Sequence, residues 1–219
     1  MGPREVEDQP AAGLLAPARG VPPLGERIRE ARSRRGAGLR QLAREVGVSP
    51  SLISQIENDK SRPSVSTLYA ITSALGISVE DLLGGPGPAD PDDATSPASA
   101  ADPARLRRVG PVVKASEREQ ISLDSGVSWQ LLGQVPGRHV DFLLMTYAPG
   151  ASSSSAGQQM RHGGTEYGFL VSGELVLALG FEEHHLVAGD TVSFESATPH
   201  AYRNEGAAPA VGVWFVTDG

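Results

Sequence analysis

Cysteine is absent from the 219 residues, which excludes a disulfide framework, a zinc-thiolate centre and a cysteine nucleophile. No apolar run approaches the roughly 20 residues that span a bilayer. The first 23 residues lack a basic start followed by an apolar core, so the sequence predicts a cytoplasmic protein with no membrane partner. Positive charge is scarce too. The 19 Lys and Arg stand against 26 Asp and Glu, a formal net charge of -7, which is a poor starting point for a phosphate-binding surface. What is abundant is turn former: 26 Gly and 17 Pro accompany 39% hydrophobic content, the composition of packed cores joined by loose connectors.

The charge is unevenly placed. Residues 24–62 hold 9 basic and 5 acidic side chains, whereas residues 106–219 hold 7 basic and 12 acidic. A locally basic module beside an acidic one is the asymmetry expected of a nucleic-acid-reading domain fused to something else. Residues 1–23 carry five prolines without periodicity and read as a disordered tail. Residues 84–105 carry five prolines, four aspartates and no large apolar side chain. They have nothing to bury against the entropy of ordering and read as a semi-extended linker. The chain therefore divides into folding units at 24–83 and 106–219.

In the first unit the apolar positions run at helical spacing. Leu24, Ile28 and Ala31 mark one helix; Leu39, Leu42 and Val46 a second; Leu52, Ile53 and Ile56 a third; Leu68, Ile71 and Leu75 a fourth; Val79, Leu82 and Leu83 a short fifth. Gly47 ends the second helix, and Ser49 followed by Pro50 is an N-cap with proline at the first helical position. Two short helices joined by Gly47-Val48-Ser49 make a helix-turn-helix. With Leu52, Ile53 and Ile56 turned inward, the third helix is left with Ser49, Ser51, Ser54 and Gln55 at its start and outer face, short polar groups suited to base edges. Arg40, Lys60 and Arg62 flank it where phosphate contacts are expected. The stretch GLRQLAREVGVSPSLISQIENDKSRPSVSTLYAITSALGIS resembles the lambda-repressor-like, XRE-type helix-turn-helix domain. In that family the residues matching Ser51, Ser54 and Gln55 read bases and those matching Lys60 and Arg62 approach phosphates. Two positions depart from the pattern: Gly38 stands where Ser or Thr caps the second helix, and Asp59 where glycine takes a left-handed turn. The competing reading is a plain helical bundle whose basic residues form a solvated face.

After the linker the pattern changes to short β-rich runs, from Ile121 to Val216, separated by Pro149-Gly150, Ser172-Gly173 and Gly189-Asp190. Seven or more such runs predict an antiparallel sandwich or small barrel, and the whole chain reads as a multi-domain α + β protein. His162 and Glu166 share parity, as do His200, Tyr202 and Asn204. Two imidazoles and a carboxylate meeting inside the fold would form a facial triad. The stretches His-x3-Glu-x6-Gly from His162 and Gly-x10-His-x3-Asn from Gly189 resemble the two motifs of the cupin barrel, or jelly roll. That family has a further ligand histidine where this chain has Met160, and a thioether suits hard divalent ions poorly. Two readings stay open: one divalent metal (Fe, Zn, Ni or Mn) held by His162, Glu166 and His200, or a metal-free polar patch in an organic ligand's pocket lined by Gln159, Met160, Arg161 and Tyr202. Arg161 can pair with a carboxylate effector. His184 and His185 fall at an expected hairpin turn and read as exposed, while Trp129, Phe142, Tyr147 and Trp214 read as core or pocket wall.

Chains joining two such domains resemble bacterial transcriptional regulators. The resemblance implies double-stranded operator DNA as partner, a small-molecule or metal effector, and a homodimer through the cupin domains. Two rivals remain. One is a non-haem iron epoxidase, because enzymes of that class acting on phosphonates look similar; the other is a metal-free dimerisation barrel with no effector.

Overall fold

The fold was analysed in a computed structural model, which describes residues 22–83, 112–133, 140–154 and 159–217. The expected tail, apart from Pro22 and Pro23, and the expected linker lie outside these residues. Four helices form the N-terminal half: α1 (Leu24–Arg34), α2 (Leu39–Val46), α3 (Pro50–Glu57) and α4 (Val65–Leu75). A five-residue turn of helix, α5 (Val79–Leu83), packs back on α1. Ile28, Leu42, Ile53, Ile56, Leu68 and Ile71 close the core between them.

The local signals act as their chemistry requires. The Ser49 hydroxyl accepts a hydrogen bond from the Leu52 amide at 3.1 Å, and Pro50 opens α3 without wasting a donor. Ser64 caps α4 in the same way through the Thr67 amide. The bare Gly38 opens α2 in an extended conformation with no side-chain cap. Asp59 adopts a left-handed φ of 53°, and its Oδ1 accepts from the Gly25 amide at 3.1 Å. At Gly25 a Cβ would lie 2.2 Å from the Ile56 carbonyl oxygen, so α1 and α3 approach as closely as backbones allow.

A buried carboxylate fixes the pitch of α3. Glu57 is 4% exposed and meets the Arg32 guanidinium as a fork, with Oε2 at 2.9 Å from one nitrogen and Oε1 on Nε. Arg29 adds a bond to the Glu57 carbonyl. Arg32, which composition counts toward a DNA surface, is therefore spent inside the domain, and the exposed Arg29 is tied to the end of α3.

The C-terminal half is two antiparallel sheets. β1 (Gln120–Ser122), β2 (Val127–Gly133), β3 (Val140–Tyr147), β9 (Ala210–Thr217), β4 (Thr165–Ser172) and β7 (Thr191–Glu195) form one, in that order. β6 (Glu182–Val187), β5 (Glu174–Leu179) and β8 (His200–Arg203) form the other. Strict alternation along β2, β3 and β9 turns Trp129, Leu143, Met145, Tyr147 and Trp214 inward, whereas Phe142 faces outward against Phe215. Among the described residues no ladder closes the sheets into a cylinder; isolated bridges at Met160–His200 and Ser152–Arg203 stitch the margin. The expected antiparallel fold is present as two facing sheets, without the closure expected of a barrel among the described residues. His184 and His185, expected at a turn, lie in the edge strand β6, and the turn is at Gly180 and Phe181. Four successive polar residues hide a strand that is solvated on both faces, as an edge can be.

The two halves touch. The Asp124 amide donates to the Pro63 carbonyl at 2.9 Å, the Ser66 amide to the Ser153 carbonyl at 3.2 Å, and Arg27 bridges the last α5 carbonyls to Glu119. Among the described residues no helix is long and apolar enough to cross a membrane.

Replacing Glu57 by Ala strands Arg32 beside a buried carbonyl-rich seam. We expect a loss of about 3 kcal/mol, the low end for a broken buried pair because Arg32 keeps some solvent contact. Urea unfolding of the two chains measures it, and an unchanged midpoint would show that the fork contributes nothing.

Candidate functional site

The sequence nominates two sites, and they lie in different halves. On α3, Ile53, Ile56 and Glu57 are buried, leaving Ser51 and Gln55 exposed and Ser54 partly so. Arg40, Lys60 and Arg62 are exposed, and no ion pair holds them among the described residues. Arg62 sits at the seam of the two halves, lining a cleft of about 410 Å³ with Asp124 and Gly126. Ser49 is exposed but its hydroxyl is committed to the cap. Asn58 holds the end of α3, donating to the Ser54 carbonyl and accepting from Arg29.

The second site gathers His162, Glu166 and His200, whose donor atoms all lie within 4.8 Å of one another. Glu166 comes from the inward face of β4 and His200 from β8, while His162 precedes β4 in an irregular segment anchored by its amide on the Ser196 carbonyl. One Glu166 oxygen accepts from the Tyr202 hydroxyl at 2.7 Å, and that hydroxyl accepts from the Trp214 indole at 3.1 Å. The other oxygen is 3.4 Å from His200 Nε2 and 3.6 Å from His162 Nε2. Burial alone would raise the Glu166 carboxyl. The two imidazoles and Tyr202 outweigh it and hold the group at about 2.

The imidazoles are oriented as metal ligands are. His162 Nδ1 lies 3.0 Å from the Gly163 carbonyl and His200 Nδ1 2.8 Å from the Thr198 carbonyl, contacts that place the proton on Nδ1. Both Nε2 atoms are buried without a hydrogen-bond partner. Both Nε2 atoms therefore point at the Glu166 carboxylate, where each can share a proton with it or give a lone pair to a cation. The donor set of two nitrogens and one oxygen suits a divalent transition metal, so the residues present fit such an ion without a fourth ligand at Met160. Met160 is buried and pairs its backbone with His200.

The four nominated pocket residues are not gathered together. Gln159 and Tyr202 line a cleft of about 430 Å³ beside the small sheet, with Ser154 and Arg203, whereas Met160 and the exposed Arg161 do not. Sequence reasoning also missed Tyr69. This α4 side chain is 6% exposed and stacks on His162 with ring centroids 4.2 Å apart. Burial, then the Asp141 and Glu166 charges, push its phenol well above the ordinary value. The signal was present as a second apolar stripe, Tyr69 and Thr72, beside the Leu68–Ile71–Leu75 stripe that the helix core needs.

A helix-turn-helix joined to an acidic two-sheet sandwich defines the class, a DNA-binding regulator, and comparison with known proteins agrees. Residues 25–88 match a helix-turn-helix domain and residues 143–216 a cupin domain. The HTH-type transcriptional regulator PuuR of Escherichia coli is 30% identical over 185 residues, covering 84% of this chain and 88% of PuuR. SutR of the same organism, also an HTH-type transcriptional regulator, is 27% identical over 183 residues. An HTH_3 family transcriptional regulator from Vibrio cholerae shares the fold with a TM-score of 0.61 at 22% identity, covering 90% of this chain and 95% of that one. The chain belongs to the family of XRE-type helix-turn-helix transcriptional regulators that carry a cupin domain.

Tyr202→Phe removes the hydroxyl that bonds Glu166 and receives the Trp214 indole. The variant should lose about 1–3 kcal/mol, because a buried indole N–H and a carboxylate oxygen lose their partner. Thermal unfolding reads the change, and an unaltered Tm would mean that the hydroxyl is dispensable.

Proposed function

We propose that residues 24–83 read double-stranded operator DNA and that residues 106–219 form a sensor whose occupancy by one divalent metal, Fe, Zn, Ni or Mn, or by a small molecule beside it, tunes that binding in the cytoplasm. The observation that carries the DNA half is the split face of α3. Its buried side is locked by Ile53, Ile56 and Glu57, while Ser51 and Gln55 face solvent with no side-chain partner among the described residues. A helix so anchored offers its polar edge to the major groove at no further ordering cost. In this reading Ser51, Ser54 and Gln55 meet base edges; Arg40, Lys60 and Arg62 meet phosphates; and Ser49 lies at the α3 N-terminus, where a phosphate docks.

The metal would be held by His162, Glu166 and His200, supplying the positive charge that their lone pairs face. Gln159 and Tyr202 line the cleft of about 430 Å³ in which a small molecule would lie, and Met160 and Arg161 stand outside it. The same donor set serves iron-dependent oxygenases, so oxygen uptake by the Fe(II)-loaded protein is the observation that would favour an enzyme. The regulator reading requires none.

Homodimerisation through the sheets is supported by an apolar outer face. Tyr167, Phe169, Val171 and Phe215 are 40–50% exposed and adjacent, Tyr167 standing opposite Phe215 across the β4–β9 pairing. Monomers rarely leave such a patch open to water. A two-fold axis there would set two α3 helices toward successive major-groove turns.

Electrophoretic shift on fragments upstream of its own operon tests the DNA reading. Gln55→Ala should cost about 1–3 kcal/mol and relax sequence preference, whereas Lys60→Gln should weaken all sequences alike and reduce the salt slope by about 1. Equal affinity and preference in all three chains would remove the basis for the reading. Separately, light scattering should find a dimer for the wild type and a monomer for Phe169→Glu; identical masses would move the interface elsewhere.

A further inference from the structure

Tyr69 belongs to the DNA-reading half and is buried in the other. Its ring lies flat on His162, with planes 5° apart, and its edge meets Trp129 at a centroid distance of 5.6 Å. Its hydroxyl is buried with no hydrogen-bond partner among the described residues. A residue that only filled the seam would do so at lower cost as phenylalanine, since a buried unpaired hydroxyl is destabilising.

The geometry of the cation site gives the contact a consequence. An ion bound to three such donors lies about 2.0–2.2 Å from each. Donors spread over as much as 4.8 Å must therefore close in. His200 is fully buried inside β8, its backbone bonded both ways to Met160, and Glu166 is held inside β4 by Tyr202. His162 lies outside any strand, and its ring is tied only to the neighbouring Gly163 carbonyl. Closure therefore moves the imidazole against which Tyr69 is stacked.

We propose that Tyr69 couples the sensor to the reading helices: a divalent cation gathered by His162, Glu166 and His200 shifts the ring beneath Tyr69 and re-seats α4. The inference rests on the cation-site reading above. From α4 the path to DNA is short, because α4 packs on α2 and α2 on α3. A second tether runs the same way. The Ser66 amide at the start of α4 donates to the Ser153 carbonyl, and the Ser153 hydroxyl accepts from the amide of Tyr202, whose own hydroxyl binds Glu166. A cation that draws in His162 then favours one seat of α4 over another, which any ligand-driven shift requires.

The test uses the full chain with Zn2+ as the probe, combining titration calorimetry with amide hydrogen exchange across α4. Zinc should bind the wild type and change exchange at Leu68–Thr72 by at least about fivefold. Tyr69→Phe, which keeps the ring, should preserve that response. Tyr69→Leu should still bind zinc but lose the α4 response, and Tyr69→Met serves the same purpose if the leucine chain does not fold. A wild-type-like α4 response without the aromatic ring overturns the coupling. Zinc bound by the wild type with α4 unmoved also overturns it while leaving the site intact. No heat with the wild type removes the cation site and the coupling together.

Discussion

A carboxylate placed at the centre of an apolar sandwich must be met by positive charge or hydrogen-bond donors, and Glu166 is that carboxylate. Leaving it unmatched would cost several kcal/mol, so the surrounding side chains follow from its presence. Tyr202 is needed as a donor, Trp214 as the donor to Tyr202, and the two imidazoles as the groups on the opposite oxygen. Backbone carbonyls at Gly163 and Thr198 then fix the imidazole tautomers. A leucine at the same position would pack with none of this apparatus. Keeping an acid there is a cost that makes sense where something cationic is to be held.

The helical half follows the same rule with a different outcome. Glu57 is also a buried acid, but Arg32 satisfies it from within the chain through a two-pronged contact. It therefore acts as a structural peg that sets how far α3 projects. One buried acid is met by an arginine of its own domain, and the other by a tyrosine hydroxyl and two imidazoles.

Much of this was legible in the residues. Ser49-Pro50, Gly47 and the α3 apolar spacing carry local chemistry, and local chemistry survives folding unchanged. His162, Glu166 and His200 were legible through the family motif, although His162 lies before β4 and strand parity with Glu166 does not apply to it. What was not legible depended on distance along the chain. The tying of Arg29 and Arg32 to Glu57 is invisible to a charge count, because the partner lies 25 residues or more away. Tyr69 was hidden because its helix already had a sufficient core stripe. β6 was hidden because Glu182 to His185 lack the apolar alternation by which strands are found. The scattered pocket residues show a further limit, since adjacency in sequence across Gln159, Met160 and Arg161 sends neighbours in opposite directions.

The alternation of β4 has one more effect. Glu166 points into the sandwich and Tyr167, the next residue, points out of it toward the exposed apolar face. A single peptide unit thus joins the cation site to the surface through which two subunits would meet. In such a pair, each subunit's acid would lie little more than the thickness of a sheet from the shared face. Loading of the two sites would then be interdependent, and the response to effector would be steeper than one site alone can give.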